Sequence, residues 1–387
     1  MTDREQEYSK YLRKIADNID ISDTMRDKAI DSYNAVGRWL GDCSEVSDLK
    51  IYPQGSFSLG TVIKPLSDKD DYDIDLVCLL KDMHSASEYE IKNIIGNRLK
   101  EHDRYAVMLD KNEGKRCWTL HYDEFHMDIL PCSPKETVYL EPYQTNIRFT
   151  HRIAPLKYIP KYSNPYKYHE WFELRMQVRL LEARKAFSAQ KQVDISEVPM
   201  HVVKTPLQRA IQLLKRHKIL MYQDAPQTQK DNAPISIIIT TLAAHAYNNE
   251  NNVFEALNSI LNNMQKHIEV RDGECWIENP AMPEENFAEK WNTEPSKQAE
   301  FARWLGQAKK DILIAPLGEY GLHNIIESMQ CSFGSNIVRK SFSDLGYQTK
   351  ADREEGKLYV SGLTGGLTTS ACDGAVKVGG HTFFGKK

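Results

Sequence analysis

Asp73 and Asp75 lie at alternate positions of "DDYDIDLVCLL" (70–80), where a run of acids passes directly into a strongly apolar segment that reads as a strand. Side chains alternate along a strand, so these carboxylates share one face while Ile74 and Leu76 take the other. An unpaired buried charge costs several kcal/mol or titrates to its neutral form, so a cation is expected beside them. Two carboxylates on one face make half of a hard-cation site. Magnesium takes oxygen ligands in octahedral geometry and keeps waters or substrate phosphates in its remaining positions, so Mg²⁺ is the expected cofactor, with Mn²⁺ as a substitute. A third acid from another strand would complete a two-metal cluster. Asp128, in "FHMDILPC" (125–132), is the candidate.

The pair Gly55-Ser56 in "QGSFSLGT" (54–61) supplies what carboxylates do not. Glycine lets the backbone approach a phosphate closely, and the serine hydroxyl and following amides can donate to its oxygens. A phosphate cradle beside an acid cluster implies a nucleoside triphosphate bound through metal. Singly, each piece has an ordinary reading: a Gly-Ser pair is usually a turn, an isolated DxD is often a loop or a calcium ligand, and Asp128 alone could be a strand end bonded to backbone amides. Their order and spacing join them. Asp68, Asp70 and Asp71 read as solvated loop residues, with Asp71 a register competitor for the metal.

The elements that must position these groups follow from periodicity. Residues 5–41 carry helical spacing (Tyr8, Leu12, Ile15, then Met25, Ala29, Tyr33, Val36, Leu40), with Thr24 and Asp27 marking the start of the second helix; they read as scaffold packed behind the active lobe. Strands are expected at "LKIYPQGSF", "YDIDLVCLL", "CWTLHY" (117–122) and "FHMDILPC", the last two a hairpin about Asp123-Glu124. An amphipathic helix falls at 85–102. Beyond residue 168 the pattern turns helical, with "PLQRAIQLLKRHKILMY" (206–222) started by Pro206 and "ISIIITTLAAHAY" (235–247) a buried helix despite its β-branched residues. Helices are expected to dominate to about residue 345. The fold class is α+β and bilobal, a mixed-sheet N-terminal lobe with a helical C-terminal lobe. The divisions are 1–200 (catalytic lobe with its scaffold helices), 201–345 (helical nucleotide-binding lobe) and 346–387 (a C-terminal segment with a flexible, Gly/Ser/Thr-rich tail).

Composition narrows the function classes. The 387 residues, 41% hydrophobic and 27% charged, suffice for two sizeable cores. The charged N-terminus lacks an apolar signal core, and no stretch approaches the roughly 20 apolar residues that span a bilayer, so a cytoplasmic protein without membrane contact is expected. The cysteines, 7 in number, show no CxxC or Cys/His clustering, so reduced thiols are the default. A net charge of -4 argues against strong nucleic-acid binding.

"QGSFSLGTVIKP…DYDIDLV…FHMDILP" resembles the nucleotidyltransferase signature of the DNA polymerase beta superfamily, and more narrowly the bacterial cGAS/DncV-like nucleotidyltransferases that make cyclic oligonucleotide signals in anti-phage defence. "TPLQRAIQLLKRHKILMY", "APISIIITTLAAHAY" and "IENPAMPEENFAEKW" (277–291) are similar to helical-lobe segments of that family, so the resemblance covers most of residues 20–345. It implies that Gly55 and Ser56 hold the triphosphate, that Asp73 and Asp75 bind both metals, and that Asp128 is the third ligand and activates the attacking hydroxyl. It implies a cyclic di- or trinucleotide made from NTPs including ATP, bound by a downstream effector. Lys215 matches a lysine that reaches donor phosphates in similar enzymes, against a plain reading as part of a solvated basic helix face with Arg216, His217 and Lys218. Ser236 sits where a small polar residue could assist. Lys64 stands equally as a phosphate neighbour or a strand-end surface lysine. Tyr158, Tyr162, Tyr166 and Tyr168 could stack bases or pack a proline-containing loop. Several relatives end in a tail joined to targets by a ubiquitin-transfer-like partner, which makes Gly385 a candidate conjugation residue. A linear-product transferase and a non-catalytic nucleotide sensor remain the competing readings.

Overall fold

Two amphipathic helices open the chain, α1 (Asp3–Ile19) and α2 (Asp23–Gly41). The computed structural model describes residues 2–42, 48–67, 71–136, 145–198, 202–360, 367–369 and 374–379. The Thr2 hydroxyl and the Glu5 carboxylate close a capping box on α1. The second helix begins earlier than Thr24: Ser22 is its cap and accepts from the Met25 amide, a side-chain oxygen satisfying an amide that has no partner inside the helix.

β1 (Leu49–Gln54) leads straight into a single helical turn, α3 (Gly55–Ser58), and the chain returns as β2 (Tyr72–Leu80). After α4 (Glu88–Lys100) and α5 (Asp103–Met108) come β3 (Trp118–His121), β4 (Phe125–Pro134), β5 (Ile147–Ala154) and β6 (Lys157–Ser163). The sheet order is β1-β2-β4-β5-β6 with β3 on β4. β2 and β4 are parallel, joined by the α4–α5 crossover, and the other pairings are antiparallel, which makes the expected mixed sheet. The Asp123-Glu124 hairpin is present, with the Tyr122 amide donating to Phe125 O.

The two faces of β2 go to different partners. Ile74, Leu76, Cys78 and Leu80 pack with Ile91, Ile95 and Leu99 of α4 and with Val36 and Leu40 of α2. Val77 and Leu79 join Leu130, Cys132, Ile147 and Phe149 on the opposite face. A strand inside a partly parallel sheet is thereby covered on both sides, which is why its sequence reads as one apolar run.

The tyrosine-rich stretch is a strand and a helix start, not a loop. Tyr158 donates to Glu113 from β6, and Tyr168 is buried in α6 (Pro165–Lys191) with its hydroxyl on Thr241. Asn164 caps α6 and Pro165 takes its first turn, where a missing N–H costs nothing. α7 (Pro206–Gln223), α8 (Gln227–Lys230), α9 (Ser236–Ala246) and α10 (Val253–Asn263) follow. α9 is a helix because its β-branched residues are enclosed by a core on most sides, and tertiary burial outweighs their weak helix preference. Helices do not hold the whole of the second lobe: Glu269–Arg271 pairs with Glu274–Trp276, and Glu278–Asn279 with Met282–Asn286.

α1 packs not against the sheet but in the larger core. Leu12, Ile15 and Ile19 lie with Ile211 and Leu214 of α7, Leu257 and Ile260 of α10, and Val338 of the helix Ser335–Glu354. Among the described residues no helix is long and apolar enough to cross a membrane. Near the C-terminus Tyr359–Val360 pairs with Leu367–Thr368 and Val376–Lys377; Gly385 lies outside the described residues.

Candidate active site

The parallel register of β2 and β4 sets Asp75 opposite Asp128 and Asp73 opposite His126. Residues opposite one another share a face, so the structure brings Asp73, Asp75 and Asp128 onto one side of the sheet, continuous with the Val77–Phe149 cluster. On the other edge of β2, Gln54 pairs with Asp75, and the chain turns immediately at Gly55. Gly55 has φ +60°, and a Cβ placed there would stand 2.3 Å from Asp75 Oδ2. No side chain fits between this turn and the carboxylate; only backbone does.

The electrostatics are those of crowded acids. Burial first, then Asp128 and Asp73, push the Asp75 carboxyl up to about 7, with Lys215 acting in the opposite sense. The Asp73 carboxyl is also raised, by partial withdrawal from solvent first and then by Asp128. Asp128 is held in place by Thr119, whose hydroxyl donates to Oδ1 from the paired position on β3. Asp71, the register competitor, is engaged elsewhere, with its Oδ2 2.8 Å from His126 Nε2.

Lys215 does not belong to a solvated face. It is 6% exposed, beside Arg216 at 1% and His217 at 3%. Its ammonium donates to Thr61 O (3.1 Å) and Thr61 Oγ1 (3.2 Å), at the end of the Gly55–Thr61 segment. Burial, helped by Lys218 and opposed by Asp75, lowers its pKa to about 7. α7 therefore delivers a cation to the base of the glycine-serine turn, within the field of Asp75. Ser236 is the exposed first residue of α9. Lys64 sits at the seam of α1 and α7, its amide on Ile19 O and its carbonyl accepting from Arg216.

The donor set fits divalent metal. It consists of hard carboxylate oxygens whose pKa values are raised by burial first and by mutual repulsion second, with one lysine as local compensation. Among the described residues no group of three or more His, Cys, Asp or Glu side chains is placed so as to hold a metal ion without other ligands.

Thr119 and His126 are the groups that sequence reasoning passed over. A hairpin centred on Asp123-Glu124 already sets Thr119 across from Asp128, so the signal for Thr119 was present in the turn. Nothing local in the sequence marks the Lys215–Thr61 contact, which joins positions 154 residues apart.

A family model described as the Second Messenger Oligonucleotide or Dinucleotide Synthetase domain matches residues 7–160. The chain is 29% identical to a c-di-GMP synthase of Roseivirga ehrenbergii, over 97% of this chain and 96% of that one. It is 25% identical to the cyclic dinucleotide synthase CdnG of Bradyrhizobium diazoefficiens, over 85% of this chain and 81% of that one. The structure of that CdnG in complex with GTP superposes with a TM-score of 0.67 at 22% identity, covering 88% of this chain and 99% of the other. Vibrio cholerae DncV, a cyclic AMP-GMP synthase, has the same fold, with a TM-score of 0.58 at 12% identity over 86% and 97% of the two chains.

Proposed function

We propose that this chain, similar to the bacterial cGAS/DncV-like nucleotidyltransferases, is one of them and joins two nucleoside triphosphates into a cyclic dinucleotide on the Asp73–Asp75–Asp128 face. The observation that carries this reading is the pairing of Asp75 with Asp128 beside a glycine turn that only backbone can occupy. The Gly55-Ser56 turn holds the triphosphate. Asp73, Asp75 and Asp128 would hold Mg²⁺, which when bound acidifies the attacking ribose hydroxyl and neutralises the triphosphate and departing pyrophosphate.

The residues divide the remaining work. Thr119 occupies Asp128 Oδ1 and leaves Oδ2 to accept the proton of the attacking ribose hydroxyl. The hydroxyl oxygen bonds to the α-phosphorus of the second nucleotide and pyrophosphate leaves with the electron pair. Lys215, buried against Thr61, opposes the negative charge gathered at Asp75. The linear intermediate then turns so that its own free hydroxyl attacks its remaining α-phosphorus, releasing a second pyrophosphate and closing the ring.

GTP is the first substrate proposed, on the strength of the c-di-GMP synthase relative and of the CdnG complex; ATP, implied by the family resemblance, is the second. The same resemblance supports the wider part of the reading: the product is a second messenger of anti-phage defence read by a downstream effector in the cytoplasm, and Gly385 is the residue a ubiquitin-transfer-like partner would conjugate. Purified protein is incubated with radiolabelled ATP, GTP, CTP and UTP plus Mg²⁺, treated with phosphatase and chromatographed, with Asp73→Ala/Asp75→Ala as control. A phosphatase-resistant product absent from the control is expected, and single-nucleotide omission names its bases. A phosphatase-sensitive product would replace this reading with linear transfer, and saturable nucleotide binding without turnover would replace it with a sensor.

A further inference from the structure

The catalytic face extends past the aspartates to a polar wall that the chemistry above does not use. In the β5–β6 register Ile147 pairs with Ser163 and Phe149 with Lys161. Ile147 and Phe149 belong to the cluster on the Asp75 side of the sheet, so Ser163 and Lys161 project on that same side. There the second lobe closes over them. Ser163 Oγ donates to Glu285 Oε2 at 2.7 Å, Asn279 Nδ2 donates to the same oxygen at 2.6 Å, and Lys161 Nζ meets Glu289 Oε1 at 2.9 Å. Glu285 Oε1 carries no hydrogen bond among the described residues. Facing this wall is Arg116, exposed at the entry to β3, with its guanidinium over the Phe149 ring at 5.4 Å and Nε on His151 Nδ1 at 3.2 Å. Arg116 and Lys161 are the positive charges that Glu285 feels. An immobilised carboxylate with a free oxygen thus shares an apolar-floored surface with a guanidinium whose terminal nitrogens have no partner among the described residues.

We propose that Arg116 and Glu285 select guanine in the nucleotide seated on the Phe149 end of the catalytic face, Arg116 donating to O6 and N7 and Glu285 Oε1 accepting from N1–H and the N2 amino group. The inference rests on the nucleotidyltransferase reading above and adds the base and the residues that read it. Guanine presents two acceptors on one edge and two donors on the next, which is the pattern an arginine and a carboxylate complement. Adenine reverses both contacts: its N1 lone pair would meet the carboxylate and its amino group the guanidinium. A site built to pair with donors rejects a base that lacks them, because its own polar groups are left unpaired. Ser163 and Asn279 serve as positioning residues, fixing Oε2 so that Oε1 stays directed outward. Asp128 activates its hydroxyl on the same face, so the base read here is that of the attacking nucleotide.

The test compares wild type, Glu285→Gln and Arg116→Ala by kcat/KM for GTP against ATP, by equilibrium binding of non-hydrolysable GTP and ATP analogues, and by Tm. The wild type is expected to favour the GTP analogue, and each variant to lose about 10- to 100-fold of that preference, with Tm unchanged in Arg116→Ala. An unchanged GTP-to-ATP ratio in both variants would overturn the proposal, as would a wild type indifferent to base. If Glu285→Gln weakens both nucleotides equally and lowers Tm, Glu285 is only a strap between β6 and the strand Met282–Asn286; Arg116→Ala, altered at an exposed side chain, decides the matter where Glu285→Gln does not fold. A wild type that binds the GTP analogue through Glu285 yet forms no cyclic product would refute the synthase reading and leave this inference standing.

Discussion

Gly55 and Asp75 approach so closely that a methyl group on the glycine would stand 2.3 Å from the aspartate Oδ2. The pair ties the glycine turn to the acid face through Gln54, which lies opposite Asp75 in the β1–β2 register. Movement of either residue displaces the other.

Gly55→Ala is therefore expected to reduce kcat at least 100-fold. The added Cβ must push Asp75 aside, and φ +60° strains any L side chain. The loss of stability should be modest, about 1 kcal/mol, because the turn is at the surface of the cleft. Steady-state kinetics alongside denaturant melts will separate the two; a variant with near-normal kcat would show that the contact is not needed.

Asp75→Asn should abolish synthesis and yet stabilise the metal-free protein at pH 8. The Asp75 carboxyl is raised to about 7 in the folded chain from an ordinary value of 3.8, by burial first and then by Asp128 and Asp73, so folding holds the proton more tightly, and stability falls as pH rises from 3.8 toward 7, the loss being complete above that. Amide replacement removes that penalty, on the order of a few kcal/mol. The gap should narrow as pH falls and close only below the ordinary value of 3.8, where Asp75 is protonated in both the folded and the unfolded chain, as denaturant unfolding in EDTA will show. Equal stability at pH 8 would refute the like-charge account.

Thr119→Val leaves Asp128 Oδ1 without its donor. Activity should drop roughly 10-fold, the loss of one hydrogen bond to a charged group, with a higher Mg²⁺ concentration needed for half-maximal rate. Thr119→Ser should restore both values. Failure of serine to rescue would assign the effect to strand packing.

His245 gives the second lobe a pH dependence. Its ring stacks on His267 (centroids 5.4 Å) and lies against Trp171 (4.9 Å). Burial first, then His267 and Arg175, lower its pKa to about 4. The unfolded chain takes up the proton near 6.5 while the folded one resists, so this stability is complete above pH 6.5 and is lost as pH falls toward 4. Urea unfolding should show about 1 kcal/mol less stability at pH 5 than at pH 7 from this half-buried group, after discounting for solvent screening, and His245→Phe should flatten that slope. An unaltered slope would place the dependence elsewhere.

The chemical core was legible because it is local. Alternation along a strand puts Asp73 and Asp75 on one side, and the hairpin at Asp123-Glu124 carries Asp128 and, opposite it, Thr119. Less visible were the boundaries. Ser22 displaced Thr24 as a cap, and the tyrosine segment became β6 and the start of α6 because Ile147–Ala154 supplied a pairing partner that the composition did not advertise.

From its residues alone this chain specified the candidate constellation: a glycine turn, two acids two residues apart, a third acid on a later strand, and the periodicities of a mixed sheet followed by helices. Tertiary structure alone decided that Lys215 is a buried partner of Thr61 and not part of a solvated face, that α1 belongs to the core of the helical lobe, and that Glu285 meets Ser163 across 122 residues. The difference is physical. Backbone periodicity reports which face a side chain takes within its own element, whereas a buried charge finds its partner only after distant elements pack, when the cost of leaving it unpaired selects the contact.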